Sequence, residues 1–174
     1  MPTSSKSSVV ETIRTRLVGT VATIAGLLGK NQFVLLADDG RGLLVKGNGQ
    51  QITPPYQQRV VVTGALLVND EGTALTMAKR DRWTPVTNTE VPTSLRNVSM
   101  LAPSAEDAWL LVEVTGTVRE IRKPYAIVET QDTSVGIHIR PVIRYRIERL
   151  QAGDIIQVRG LLEPSTEDPR VLPR

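Results

Sequence analysis

At 174 residues, the chain is long enough for one large domain or for two small ones that each bury a core without cross-links. The hydrophobic fraction of 40% and the charged fraction of 22% are ordinary for a globular protein and exclude wholesale disorder. The net charge of +3 permits an anionic partner without requiring one, and the absence of cysteine excludes disulfides, thiolate metal sites and cysteine nucleophiles.

The chain begins with a polar, serine-rich stretch. Residues 1–9 (MPTSSKSSV) lack the apolar centre of a signal peptide, and no later segment is apolar for long enough to span a membrane. We therefore expect a disordered lead or linker over residues 1–9, a soluble chain without membrane insertion, and a cytoplasmic location. A serine-rich lead also fits an excised piece of a longer exported protein.

Five strands separated by turn residues are predicted in the first half. In chain order they are Thr12–Ala25, Gln32–Ala37, Gly42–Lys46, Arg59–Val68 and Ala74–Arg82. The stretch 47–58 between the third and fourth strands is too rich in glycine and proline for a helix and is predicted as a loop. Residues 10–86 are therefore predicted to form a first β-barrel.

The second half repeats this plan after an interdomain linker over residues 87–107, which holds enough apolar residues for part of it to pack. The predicted strands are Trp109–Arg122, Tyr125–Thr130, Val135–Arg140, Asp154–Leu162 and Arg170–Leu172. Between the third and fourth strands, Ile143, Ile147 and Leu150 share one helical face, which predicts a short helix. A second barrel is therefore predicted over residues 108–174.

The two halves match each other in sequence at a nearly constant spacing. Residues 17–21 (LVGTV) correspond to 114–118 (VTGTV), and residues 60–66 (VVVTGAL) correspond to 156–162 (IQVRGLL). Each predicted first strand thus carries a central glycine, Gly19 or Gly116, where a strand that serves both sides of a small barrel has to bend. The fold class predicted is all-β, with two tandem five-stranded barrels.

With its internal glycines and the segment 152–160 (AGDIIQVRG), this strand plan resembles the OB-fold family, and more narrowly the nucleic-acid-binding OB modules of bacteria. In that family, ligands cross the face of strands two and three and are held by the loops between strands one and two and between four and five. The resemblance directs attention to Lys30, Gln32 and Lys46 in the first barrel, and to Tyr125, His138 and Arg140 in the second. The same barrel also binds sugars and proteins, so the resemblance indicates the fold more strongly than the ligand.

Binding of single-stranded nucleic acid requires cations along a groove and flat rings on which bases stack. The chain has only six aromatic residues, and this scarcity of rings weighs against such binding. The candidate nucleic-acid-binding residues are Lys30, Phe33, Lys46, Arg80, Arg82, Trp83, Arg119, Arg122, Lys123, Tyr125, His138, Arg140 and Arg144.

Several candidates also have a purely structural interpretation. Arg144 and Glu148 fit an ion pair on a solvated helix face, and residues 79–83 fit an edge strand protected by its charges. Trp109 fits core or interface packing better than ligand contact. His138 is the sole histidine, so it cannot build an ordinary zinc site, and Tyr125 fits a packed turn residue.

We do not expect an enzyme, a cofactor or a metal, because no nucleophile elbow, catalytic triad or phosphate loop is present in the sequence. Two functional hypotheses remain. One is a tandem module that binds single-stranded DNA or RNA with weak sequence preference through cationic faces of strands two and three. The other is a structural or protein-interaction module, within a larger exported or phage-like assembly.

Overall fold

The structure is a computed structural model that describes residues 11–49, 52–69, 72–87, 96–97, 107–139, 149–164 and 168–174. Its strands are β1 (Glu11–Val21), β2 (Gln32–Leu36), β3 (Gly42–Lys46), β4 (Arg59–Asn69), β5 (Gly72–Thr76), β6 (Trp83–Pro85), β7 (Arg96–Asn97), β8 (Leu111–Arg122), β9 (Tyr125–Glu129), β10 (Ser134–His138), β11 (Ile155–Glu163) and β12 (Arg170–Pro173). Within these ranges, no helix has the length and apolar character needed to cross a membrane.

The predicted pair of all-β barrels is confirmed. In the first barrel the strands follow the order β1-β2-β3-β5-β4, and β4 pairs again with β1 to close the barrel. In the second, β8-β9-β10-β12-β11 close in the same way through the pairing of β11 with β8. The third and fifth strands of each barrel run parallel and all other pairs within the barrels are antiparallel, so the two barrels share one Greek-key plan of the OB type.

Alternation along each strand separates a barrel core from an outer face. In the first barrel Phe33, Leu35 and Val45 point inward and pack with residues of β4 and β5. In the second barrel Ala126, Val128 and the inward residues of β8, β10 and β11 form the equivalent core. Each half of the chain therefore has a core of its own, built mostly from aliphatic side chains.

Glycines at matching positions of the two barrels sit where another strand approaches closely. A Cβ on Gly19 would lie 2.7 Å from the carbonyl oxygen of Leu36, and a Cβ on Gly116 would collide with the carbonyl oxygen of Glu129. Leu36 and Glu129 both stand at the end of the second strand of their barrel. The glycine is thus required by the close passage of the second strand over the bent first strand, and the repeat seen in sequence carries the same steric requirement twice.

The two barrels are joined by a shared apolar cluster. It contains outward-facing residues of the first barrel and residues of the second barrel that point away from its own core: Ala22, Val34, Leu36, Trp109, Leu111, Leu161 and Leu172. The Leu111 amide also donates a hydrogen bond of 2.8 Å to the carbonyl oxygen of Gly40. We name this cluster the inter-barrel core. It buries the outer face of β2 in the first barrel.

The fifth strand of the first barrel is shorter than predicted. The expected strand Ala74–Arg82 ends at Thr76, because the chain turns around Asp81. The carboxylate of Asp81 accepts a hydrogen bond of 2.7 Å from the Ala78 amide, pairs with the Arg14 guanidinium, and is almost fully buried. A separate short strand, β6, then pairs with β4.

Other predicted boundaries shift by a few residues. The first strand ends at Val21 rather than Ala25, and β8 begins at Leu111 because Trp109 has a positive φ of 65° that breaks the extended conformation. Part of the linker packs: β7 adds a short parallel strand to β8. The helix predicted around Ile143 and Ile147 lies outside the described residues.

Candidate nucleic-acid interface on the second barrel

The outer face of strands two and three differs between the barrels. In the first barrel this face carries Val34, Leu36 and Leu44, all part of or packed against the inter-barrel core. The resemblance implied that a ligand binds on this face, but in the first barrel the second barrel covers it. This is a correction to the sequence interpretation, and its physical reason is that an apolar outer face is stabilised by burial against another apolar surface.

In the second barrel the corresponding face is polar and partly exposed. Its rows follow from the strand register: Tyr125 of β9 is paired with His138 of β10, and Gly136 is paired with Ile127 on one side and Arg170 of β12 on the other. Glu163 of β11 is paired with Arg170. One outward row therefore runs across four strands directly beside the Tyr125–His138 pair.

Tyr125 lies at the centre of this face. The Arg170 guanidinium carbon lies over the phenol ring, 4.9 Å from its centroid, and the His138 ring centroid is 4.6 Å away at an interplanar angle of 49°. The ring also lies beside Gly136, on which a Cβ would be in van der Waals contact with Tyr125 Cδ1 at 3.4 Å. We name Tyr125, His138, Glu163 and Arg170 the Tyr125 cluster.

His138 is held by a hydrogen bond to Glu163. Its Nδ1 lies 3.2 and 3.1 Å from the two carboxylate oxygens of Glu163, and both side chains are only 14% exposed. Because a carboxylate only accepts hydrogen bonds, Nδ1 is the donor, which fixes the orientation of the imidazole against Tyr125. Tyr125 thus packs against an imidazole whose position is itself fixed by Glu163.

Cationic side chains surround the cluster on β8 and on the turn before β9. Arg119, Arg122 and Lys123 are all exposed, and Arg122 lies directly across from Tyr125 in the strand register. Glu120 lies between the two arginines, 2.7 Å from Arg122 and 3.6 Å from Arg119. A β-bulge between Val118 and Glu120 inserts Arg119 as the extra residue and turns it toward Ser134, whose Oγ is 3.4 Å away.

The candidate residues of the first barrel are placed elsewhere. Lys30 is exposed in the loop before β2, and Lys46 is exposed at the end of β3, paired with Gln32. Arg80 and Arg82 lie in the turn around Asp81, where the Arg82 guanidinium donates to the carbonyl oxygens of Lys79 and Asp81 at 2.5 and 2.8 Å. These cations share the end of the barrel where β2 begins and where β3 and β5 end.

Two of the predicted aromatic contacts are used within the first barrel. Phe33 is 2% exposed in the core, so its ring is not available to a base. Trp83 packs against the same core and donates its indole N–H to the carbonyl oxygen of Ile52 at 2.7 Å. The prediction that Phe33 contacts a ligand is therefore wrong, because the period-two alternation of β2 directs it inward.

Of the predicted residues in the second barrel, the structure brings together Arg119, Arg122, Lys123, Tyr125 and His138, whereas Arg140 and Arg144 lie outside the described residues. Sequence reasoning missed Gly136, Glu163 and Arg170. No local signal in the sequence marks them, because Arg170 reaches Gly136 only through the parallel pairing of β10 with β12. Across the described ranges, no three His, Cys, Asp or Glu side chains cluster in a way that could hold a metal ion.

No protein-family model matches this sequence, and no curated protein matches it. Among solved structures, a chain described as "Structural mimicry for functional antagonism" is similar with 10% identity and a TM-score of 0.40, covering 97% of this chain and 92% of that one. The Ifi202 HINa domain in complex with 20 bp dsDNA is similar with 8% identity and a TM-score of 0.36, covering 92% of this chain and 93% of that one. At such scores, neither likeness bears on the function of this chain.

Proposed function

We propose that this chain is a binding module without catalytic activity, which holds single-stranded nucleic acid with weak sequence preference on the outer face of the second barrel. The observation that carries the proposal is the Tyr125 cluster: a ring on a partly exposed sheet face, with the exposed Arg170 guanidinium 4.9 Å from its centroid. Bases stack on flat groups of this kind, whether an aromatic ring or the guanidinium that lies over it, and each base stacked on a ring contributes about 1–3 kcal/mol.

The cations around the ring support the same proposal. Arg119, Arg122 and Lys123 stand along one side of the cluster and Arg170 stands on the other. Phosphates that follow the edge of a strand would meet positive charge on both sides of the stacked base. Since Glu120 and Glu163 also lie on this face, the positive potential is moderate, and we expect modest affinity.

The proposal assigns one binding face to the whole chain rather than one to each barrel. Leu36 and Val34 on the corresponding face of the first barrel are fully buried in the inter-barrel core. A tandem module with one exposed strand two and three face is expected to bind with a stoichiometry of one. It is also expected to need a single-strand length typical of one OB fold, about 4–16 nucleotides.

The test is a fluorescence polarisation titration of the full chain with labelled oligothymidylates of increasing length and at several salt concentrations. For about three phosphate contacts, the logarithm of the association constant should fall with the logarithm of salt concentration with a slope of about −2. Tyr125→Ala should weaken binding by about 5- to 150-fold, because the variant removes the ring from the stacking layer that it forms with Arg170.

Arg41→Ala is the matched control, because Arg41 is 70% exposed in the turn between β2 and β3, far along the chain from the cluster. Its affinity should equal that of the unmodified chain. Absence of any binding at low salt would remove the proposal, and equal affinity of the Tyr125→Ala variant would remove this face as the site.

A second candidate function is a structural or protein-interaction module, in which the paired barrels form a rigid spacer. The inter-barrel core favours it, since Leu172 and Trp109 fix the two barrels against each other whether or not a ligand binds. A pull-down and a sedimentation experiment separate the two candidates. A monomer that retains no protein but binds oligonucleotide supports the first, and the reverse result supports the second.

A further inference from the structure

The Tyr125 ring lies beside Gly136 and under the guanidinium group of Arg170. A Cβ on Gly136 would be 3.4 Å from Tyr125 Cδ1 and 3.5 Å from Arg170 Cγ, so both side chains pass over the space that this glycine leaves open. Arg170 lies over the ring with its guanidinium carbon 4.9 Å from the centroid. Of these three residues, Gly136 is buried, Tyr125 is partly buried and Arg170 is exposed, so the guanidinium is the group that a ligand reaches first.

Resting on the proposed function, we propose that the base of a bound nucleotide stacks on the guanidinium plane of Arg170 rather than on the ring of Tyr125. Arg170 then determines recognition of bases on this face, and Tyr125 positions it. A guanidinium is planar and delocalised, and it stacks on aromatic rings and on bases through both of its faces. The phenol contacts the guanidinium and stabilises its charge by a cation–π interaction.

The strand pairing explains why Arg170 holds this position. It lies between Gly136 and Glu163 in the sheet, so its stem crosses a strand that has no side chain at that point. Two residues further along β12, Leu172 is buried in the inter-barrel core, which fixes the backbone of the strand that carries Arg170. The arginine is therefore presented from a rigid strand and not from a loop.

The matched positions of the first barrel do not offer this arrangement. By register, Leu44 occupies the place of Gly136, and Ala74 occupies the place of Arg170. The side chain of Leu44 occupies the space that in the second barrel is open above Gly136, and Ala74 carries no charged group. The base-stacking layer is thus specific to the second barrel.

The experiment compares Arg170→Lys and Arg170→Ala with the unmodified chain on two probes: a labelled ten-nucleotide oligothymidylate and an abasic deoxyribose-phosphate strand of equal length. Lysine keeps the charge but loses the plane. On the thymidylate, both variants should bind about tenfold more weakly or worse. On the abasic strand, Arg170→Lys should bind like the unmodified chain, whereas Arg170→Ala should bind about two- to fivefold more weakly.

Three results would overturn the inference. The first is that Arg170→Lys binds the thymidylate as tightly as the unmodified chain does, and the second is that Arg170→Ala binds it more tightly because the Tyr125 ring is uncovered. The third is that the unmodified chain binds both probes with equal affinity. The last result leaves phosphate binding intact, so it contradicts only the stacking layer. The proposed function itself fails when the unmodified chain binds neither probe. Thermal unfolding followed by circular dichroism verifies that both variants are folded.

Discussion

Gly42 and Trp109 meet across the junction of the two barrels with no space for a side chain between them. A Cβ on Gly42 would overlap the carbonyl oxygen of Trp109 and would lie 2.7 Å from its Cβ. Trp109 is 9% exposed and holds a positive φ of 65° while its amide donates a hydrogen bond of 2.7 Å to the carbonyl oxygen of Leu162. The backbone of one barrel therefore rests directly on the backbone of the other.

Gly42→Ala should accordingly loosen the junction. Since backbone atoms cannot move aside as a flexible side chain does, we expect a loss of about 1–3 kcal/mol in the free energy of unfolding. Chemical denaturation followed by tryptophan fluorescence measures it. Gly49→Ala is the control, because nothing lies within 4 Å of a Cβ there, and its stability should be unchanged. Equal stability of the two variants would show that the junction adapts without cost.

Asp81 organises the turn that ends the fifth strand of the first barrel. Replacing it with alanine leaves the Ala78 amide and the Arg14 guanidinium without this acceptor. Loss of a buried acceptor from one donor costs about 1–3 kcal/mol in the free energy of unfolding. Asp39→Ala is the comparison, since that carboxylate is 62% exposed, lies 3.6 Å from the Arg41 side chain and accepts an exposed hydrogen bond of 3.0 Å from the Arg41 amide. Because water can replace both contacts, the change in stability should be less than about 0.5 kcal/mol. A similar loss in both variants would contradict a special role for Asp81.

The stability contributed by Asp81 should depend on pH. Burial raises the pKa of Asp81, but the Ala78 amide, the Arg14 guanidinium and the charge of Arg80 together lower it below its ordinary value of 3.8. A carboxyl with a lowered folded pKa contributes stability that is complete above its unfolded pKa and is lost as pH falls through the folded pKa. The difference in stability between the unmodified chain and Asp81→Asn should therefore be constant above about pH 5 and should shrink below about pH 4. Urea denaturation at several pH values measures this, and a difference that grows on acidification would reverse the sign.

The sequence predicted the barrels because the features that define them are local. Strand alternation, turn residues and the repeated glycines can be read within short windows, and Gly19 and Gly116 do have equivalent contacts in the two halves. The turn around Asp81 could not be predicted in the same way. The Asp81 carboxylate accepts a local hydrogen bond from the Ala78 amide, but it also pairs with Arg14, 67 residues away, and no local pattern separates a buried aspartate from an exposed one in a charged segment.

The candidate site was predicted only in part, because some of its contacts are local in sequence and others are long-range. Tyr125 and His138 are paired with each other at the open end of the β9–β10 hairpin, so their proximity follows from a local strand pairing. Arg170 reaches them only through the parallel pairing of β10 with β12, a long-range contact that the strand pattern alone does not specify. The covering of the first barrel's outer face follows from the packing of whole barrels, although the apolar pattern of Val34, Leu36 and Leu44 already departed from a solvated face.

Glu120 should weaken nucleic-acid binding in the unmodified chain, because its carboxylate engages Arg122 at 2.7 Å and lies 3.6 Å from Arg119. Removing it in Glu120→Ala leaves both guanidinium groups available to phosphate and deletes one negative charge beside the Tyr125 cluster. As an exposed ion pair contributes about 0.2–1 kcal/mol, the affinity for oligothymidylate at low salt should rise by up to about fivefold, and the gain should disappear at high salt. Glu113→Ala is the control, since its partner Arg159, at 2.8 Å, lies on β11. If Glu120→Ala binds no more tightly than Glu113→Ala does, the arginines of β8 do not contact phosphate and the ligand does not cross this side of the face.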